Sequence, residues 1–150
     1  MYSLPDLEPI RDFDAIAVLT SGGDSPGMNP AVRGVVRAAL NSGVQVYGVQ
    51  KGYSGLVAGD FRVMTSASVR NIVQRGGTIL KSDRCEAFKD AAIRRKAAAN
   101  LKAAGIGALI VIGGDGSLTG AHLLAEESDI AVIGLPGTID NDIFGTDDTI

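Results

Sequence analysis

The chain has 150 residues, a formal net charge of -3, 45% hydrophobic and 21% charged residues, the balance of one globular domain with no diffuse basic field for nucleic acid or an anionic membrane. Its single cysteine, Cys85, excludes an internal disulfide framework and leads us to expect a reducing, cytoplasmic setting. No apolar run nears the ~20 residues of a membrane span, and the start, MYSLPDLEPIRDFD, lacks the basic and apolar regions of a secretory signal.

Residues 1–13 are polar with two prolines and read as an extended arm ahead of a domain at 14–150. The apolar run 16–19 lacks alternation, as a strand covered on both faces should. A glycine loop at 21–27 follows. Asn29 and Pro30 then predict an N-cap and a first-turn proline, with Val32, Val35, Val36 and Leu40 at helical spacing and Asn41-Ser42-Gly43 as the stop. Residues 44–49 predict a second strand. Across 51–64 the signals are mixed, and Gly52, Gly55 and Gly59 argue for loops. Val69, Ile72 and Val73 suggest a short helix ended by Gly76-Gly77, and 78–80 a small extended piece. Ile93, Ala97, Leu101 and Ala104 form the apolar stripe of a helix whose other face carries Arg94, Arg95 and Lys102, with Gly105 ending it.

A strong strand is predicted at 108–112, a tight turn at 113–117, a helix at 118–127 and a last strand at 130–135. Strands alternating with helices imply an α/β, Rossmann-like, mostly parallel sheet with helices on both faces. We find no internal repeat and no low-complexity segment. The final Asp147-Asp148-Thr149-Ile150 has no turn, cap or polar tail, so the sequence reads as cut there.

Ligands of open parallel sheets sit beyond the carboxyl ends of the strands. Three loops belong to that edge: SGGDSPG at 21–27, GGDGS at 113–117 and GTIDND at 137–142. Glycine loops that feed helices present amides and a dipole to an anion, although glycines also simply make turns. Gly22 and Gly27 have P-loop spacing, but Met28-Asn29 stands where Lys-Ser/Thr is required, so that motif fails. Gly114, Gly116 and Gly120 give a spacing one residue too long for a dinucleotide fingerprint.

Asp115 at a strand end suits a nucleotide-borne magnesium, although a helix N-cap is the commoner role of an aspartate in that place. Asp140 and Asp142 suit a base that takes a hydroxyl proton, or an Asx-turn. Arg84 has the fork-shaped donor set that bridges transferring phosphate oxygens, or it is an ordinary surface arginine. Arg33 and Arg37, four apart on one helix, offer an anion clamp or a solvated face. His122 and the Cys85 thiol have no partners that suggest chemistry.

The strings LTSGGDSPGMNPAVRGVVR, RGGTIL followed by RC, VIGGDGS and LPGTIDNDIFGTDDTI stand in the order and spacing that resembles the ATP-dependent 6-phosphofructokinases, over about residues 14–150. The resemblance implies an adenine nucleotide against Gly22, flanked by Arg84 and Cys85, with Gly114, Asp115, Gly116 and Ser117 around its phosphates. It makes Asp115 the Mg2+ ligand. Thr138, Ile139 and Asp140 fall on the segment that touches fructose 6-phosphate, and Asp140 on the acceptor of the proton of its 1-hydroxyl. It further implies glycolytic phosphoryl transfer from Mg-ATP in a cytoplasmic, allosteric homotetramer.

Pyrophosphate-using relatives carry Asp and Lys where Gly116 and Gly137 stand here, so ATP is the expected donor and pyrophosphate the alternative. Arg33 and Arg37 match positions that hold the effector ADP, but another arginine of that site aligns with Ser66, a departure from the pattern. The family chain continues into a second half that carries most of the sugar-phosphate contacts. The sequence is therefore expected to be the ATP-binding domain truncated before that half, inactive alone, the remaining alternative being a non-catalytic nucleotide-binding fragment or subunit.

Overall fold

The computed structural model describes residues 13–150. The expected arm thus lies outside the described residues except for Phe13, whose ring closes over Gly107, where a Cβ would meet it at 2.6 Å. Five strands form one sheet in the order β3-β2-β1-β4-β5: β1 (Ala15–Ser21), β2 (Gln45–Val49), β3 (Phe61–Met64), β4 (Ala108–Gly113) and β5 (Ala131–Pro136). β2, β1, β4 and β5 are parallel, and β3 is an antiparallel edge. Among the described residues no helix is long and apolar enough to cross a membrane.

β1 and β4 are continuous apolar runs because both of their faces are covered. On one face Val18, Ile110 and Ile112 pack with Met28, Val32 and Val36 of α1 (Met28–Asn41). On the other, Leu19, Leu109 and Val111 pack with residues of α2 (Gly52–Ala58), α3 (Ala91–Ala103) and α4 (Asp115–Glu127). The chain leaves β1 toward one face and β4 toward the other. The strand order therefore reverses between these central neighbours, and their following loops part to leave a crevice.

Several local expectations are corrected. Of the glycines at 51–64, Gly52 and Gly55 lie in α2 and not in loops, while Gly59 does mark the turn into β3. Gly55 is required by close approach: a Cβ would sit 1.6 Å from the Gln50 carbonyl. Val69 and Ile72 are buried as a helix stripe would be, but the segment is a series of turns interrupted by Asn71 in the left-handed region, φ 56°. Residues 78–80 form a hydrogen-bonded turn, Lys81 N–H to Thr78 O at 3.2 Å, and no strand.

Asn29 is not the N-cap. α1 begins two residues earlier than expected, at Met28 behind the cap Gly27, and the buried Asn29 amide instead donates to Arg75 O at 3.0 Å and accepts from Ile79 N–H at 2.9 Å. Arg94 does not lie on a solvated face. It is 5% exposed, paired with Glu127 at 2.6 Å, and also donates to the carbonyls of Phe88 and Lys89. The turn after β4 is shorter than expected, since α4 starts at Asp115 with Gly114 at its cap.

Candidate functional site

A cavity of about 610 Å³ opens at the carboxyl edge of the sheet, within the usual size of a small-molecule site. Gly22, Arg84, Cys85, Gly114, Asp115, Gly116, Ser117, Thr138, Ile139 and Asp140 all line it. Arg33 and Arg37 do not. They lie on α1, where Arg33 Nη1 donates to Val69 O at 2.7 Å.

The loops after β1, β4 and β5 close around one another. Gly113 sits at the crossing: a Cβ there would lie 2.6 Å from Ser21 O and 2.8 Å from Ser117 Cβ. The Gly137 amide donates to Gly113 O at 2.9 Å, drawing the third loop onto the second. Gly22, with φ 82°, takes a left-handed turn that few side chains adopt, beside the Ser117 hydroxyl. α4 opens onto the cavity, and the amides of Asp115 and Gly116 in its first turn have no intrahelical acceptors, whereas Ser117 N–H already donates to Gly114 O at 3.0 Å. They and the helix dipole favour an anion there.

The two candidate carboxylates are uncommitted. Gly114 occupies the cap of α4 with no side-chain cap bond, so Asp115 is a first-turn residue and not the N-cap. Its exposed carboxylate has no hydrogen bond or ion pair among the described residues. At 138–142 the turn is built by Thr138, whose hydroxyl accepts from Asp140 N–H and donates to Asp142 Oδ1, both at 3.2 Å. The Asp140 carboxylate takes no part in it. The Asx-turn alternative therefore loses its support at Asp140.

No cluster of three or more metal-ligating side chains occurs among the described residues. A magnesium ion carried by phosphates needs only one or two protein carboxylates, and the free carboxylate of Asp115 fits that requirement.

Sequence reasoning missed one wall. Tyr53 and Phe88 stack with ring centroids 3.9 Å apart and planes inclined by 18°. The Tyr53 hydroxyl donates to Ser117 O at 2.6 Å, and burial pushes its phenol up, so it stays a neutral donor. Gly120 faces both rings: a Cβ would meet Phe88 at 3.2 Å and Tyr53 at 3.4 Å. With Leu123 these residues form the apolar sector of the cavity. The available signal was the scarcity of aromatic residues, 5% of the chain, which leaves few candidates for such a wall. Lys89 beside Glu86 holds that carboxyl below its usual range, and Arg94 is engaged by Glu127. Arg84 is, among the described residues, a cavity cation with no carboxylate in ion-pair contact.

Residues 15–150 match the phosphofructokinase family model. The chain is 57% identical over 135 residues to an ATP-dependent 6-phosphofructokinase 2 of Bacteroides thetaiotaomicron, covering 90% of this chain and 41% of that one. Among solved structures, Pichia pastoris phosphofructokinase in the T-state superposes with a TM-score of 0.87 at 42% identity, over 99% of this chain and 17% of that one. A pyrophosphate-dependent phosphofructokinase from Marinobacter aquaeolei shares the fold, with a TM-score of 0.81 at 22% identity over 90% of this chain and 36% of that one. The chain spans about two-fifths of the length of the curated relatives it matches. With this match over nearly all of its described residues, the chain belongs to the phosphofructokinase family.

Proposed function

We propose that the chain is the nucleotide-binding part of an ATP-dependent 6-phosphofructokinase, transferring the γ-phosphate of Mg-ATP to the 1-hydroxyl of fructose 6-phosphate once the rest of the relatives' length is present. The carrying observation is the convergence of three phosphate-type loops, with the uncommitted carboxylates of Asp115 and Asp140, on one cavity that also has an aromatic wall.

The base lies on the sector formed by Tyr53, Phe88 and Gly120, beside Arg84 and Cys85. The phosphates face Gly22, Gly114, Gly116, Ser117 and the unpaired amides of Asp115 and Gly116 at the start of α4. Asp115 would hold Mg2+, which would offset the charge of the phosphates. Arg84 adds fork-shaped donors to the transferring group. Thr138 and Ile139 border the sugar, and Asp140 accepts its hydroxyl proton. ATP is favoured over pyrophosphate because a Cβ at Gly116 meets nothing within 4 Å, so the space an aspartate would fill is open to a nucleotide.

The domain at 14–150 is read as the ATP-binding domain, with most sugar-phosphate contacts in the remaining length of the relatives, in a cytoplasmic enzyme that assembles as a homotetramer. Arg33 and Arg37 are proposed contacts of an anionic effector, with Arg37 the more available because Arg33 is engaged by Val69.

Titration calorimetry with Mg-ATP tests the site. Binding by the 150-residue chain is expected to weaken at least severalfold in Asp115→Ala, and equal affinity would remove Asp115 as the metal ligand.

A further inference from the structure

Arg84 and Cys85 reach the cavity on an irregular segment that crosses the carboxyl edge of the sheet, with no strand or helix to fix it. What holds it is a chain of hydroxyls. Thr20, near the end of β1 and 0% exposed, has its Oγ1 3.0 Å from Lys81 O and 2.8 Å from Thr78 Oγ1. The carbonyl can only accept, so the Thr20 proton points to Lys81 O. The proton between the two threonines must then belong to Thr78. Thr78 Oγ1 in turn accepts from Leu80 N–H at 3.2 Å. The bonds run in one direction, from the Leu80 amide through Thr78 and Thr20 to the Lys81 carbonyl.

The residue held at the end of this chain is in a costly conformation. Lys81 has φ 61°, the left-handed region, and is not glycine. Such a residue stays there when its surroundings over-determine it. Here they do so from three sides: the Lys81 amide donates to Thr78 O at 3.2 Å, Lys51 N–H donates to Leu80 O at 2.8 Å, and Thr20 donates to Lys81 O. Farther along, Asp83 accepts from Ser54 Oγ and from its neighbour Arg84 N–H, both at 2.8 Å. Valine matches the shape and strand preference of threonine at this buried position but removes the donor to Lys81 O. The hydroxyl therefore acts on the crossing segment and not on the packing of the sheet.

We infer that Thr20 is a positioning residue that sets the direction of the segment carrying Arg84, through its bonds to Thr78 and Lys81. Its consequence for ligand affinity rests on the nucleotide-site reading given above; its effect on the segment does not. Two measurements on the 150-residue chain separate these. Amide hydrogen exchange in Thr20→Val should accelerate at Leu80, Lys81 and Arg84 while amides of β4 and α3 keep their parent rates. Unchanged exchange at those three amides overturns the inference.

Calorimetry with Mg-ATP should show Thr20→Val binding about threefold to tenfold more weakly and Thr20→Ser near the parent, because serine keeps the hydroxyl. In an Arg84→Ala background the Thr20→Val effect should shrink below about twofold, since coupled residues are not additive. A full effect persisting in that background, or Thr20→Ser as weak as Thr20→Val, overturns the inference. If exchange accelerates as expected but Arg84→Ala leaves Mg-ATP affinity untouched, the role of Thr20 on the segment stands and the nucleotide-site reading of Arg84 falls. Should Thr20→Val fail to fold, Thr78→Val breaks the same chain from a half-buried position, with the same expectations.

Discussion

Gly113 and Gly116 stand in one short motif, and the structure gives them opposite physical roles. At Gly113 an added Cβ lies 2.6 Å from the Ser21 carbonyl oxygen and 2.8 Å from the Ser117 side chain. The first contact is backbone of the neighbouring strand, at the register pair Ser21–Gly113, so no rotamer change relieves it. β1 and β4 must separate by about 0.4 Å even to reach the edge of tolerated contact, which places Gly113→Ala among overpacking substitutions costing about 1–3 kcal/mol.

For a domain of this size that corresponds to a fall in Tm of roughly 3–10 °C. At Gly116 nothing lies within 4 Å of the added Cβ, and alanine is the better helix former by up to about 1 kcal/mol. Gly116→Ala should therefore melt at or slightly above the parent temperature. Thermal unfolding followed by circular dichroism on the two variants checks the contrast. Reasoning from close approach is refuted if Gly113→Ala melts within about 1 °C of the parent, or if both variants fall equally.

Two further outcomes are expected. Asp140→Asn, in a chain carrying the rest of the relatives' length, should keep its turn because Thr138 and Asp142 build it, yet lose roughly 10²–10⁴ in kcat with little change in KM; steady-state kinetics within a few-fold of the parent would remove Asp140 from the mechanism. Arg94, by hydrogen bonding first and charge second, holds the Glu127 carboxyl below its usual range. A depressed carboxyl stabilises the fold above its unfolded value of about 4.3 and loses that contribution as pH falls through the folded value. The Tm gap between parent and Glu127→Gln should thus be largest near neutrality and narrow below about pH 4; a gap independent of pH would show that the pair is not the cause.

The sequence by itself determined the order of the main strands and helices and the three loops at one sheet edge. Those features are written in short-range patterns: unbroken apolar runs in β1 and β4, helical spacing in α1, and glycines where the apolar runs stop. The motif strings also carried the family. What only tertiary structure decided is how residues distant in sequence meet. The glycines of α2 looked like loop formers because the Gln50 carbonyl that excludes a side chain at Gly55 is invisible in a local pattern. Arg94 looked solvated because its partner Glu127 is on another helix.

The same distance decides the site. Whether Asp115 and Asp140 serve as turn-makers or as free carboxylates depended on their exact place in the local turns: the structure puts Gly114, not Asp115, at the cap of α4, and gives the Asp140 amide to Thr138. The aromatic wall joins Tyr53 of α2 to Phe88 and to Gly120 of α4, and Thr20 reaches the turn before Arg84 across 61 positions. Periodicity reports which face of an element is apolar, because that depends on neighbours a few residues away. Hydrogen-bond satisfaction and steric approach depend on whatever the fold brings alongside, and they exist only once the chain has closed on itself.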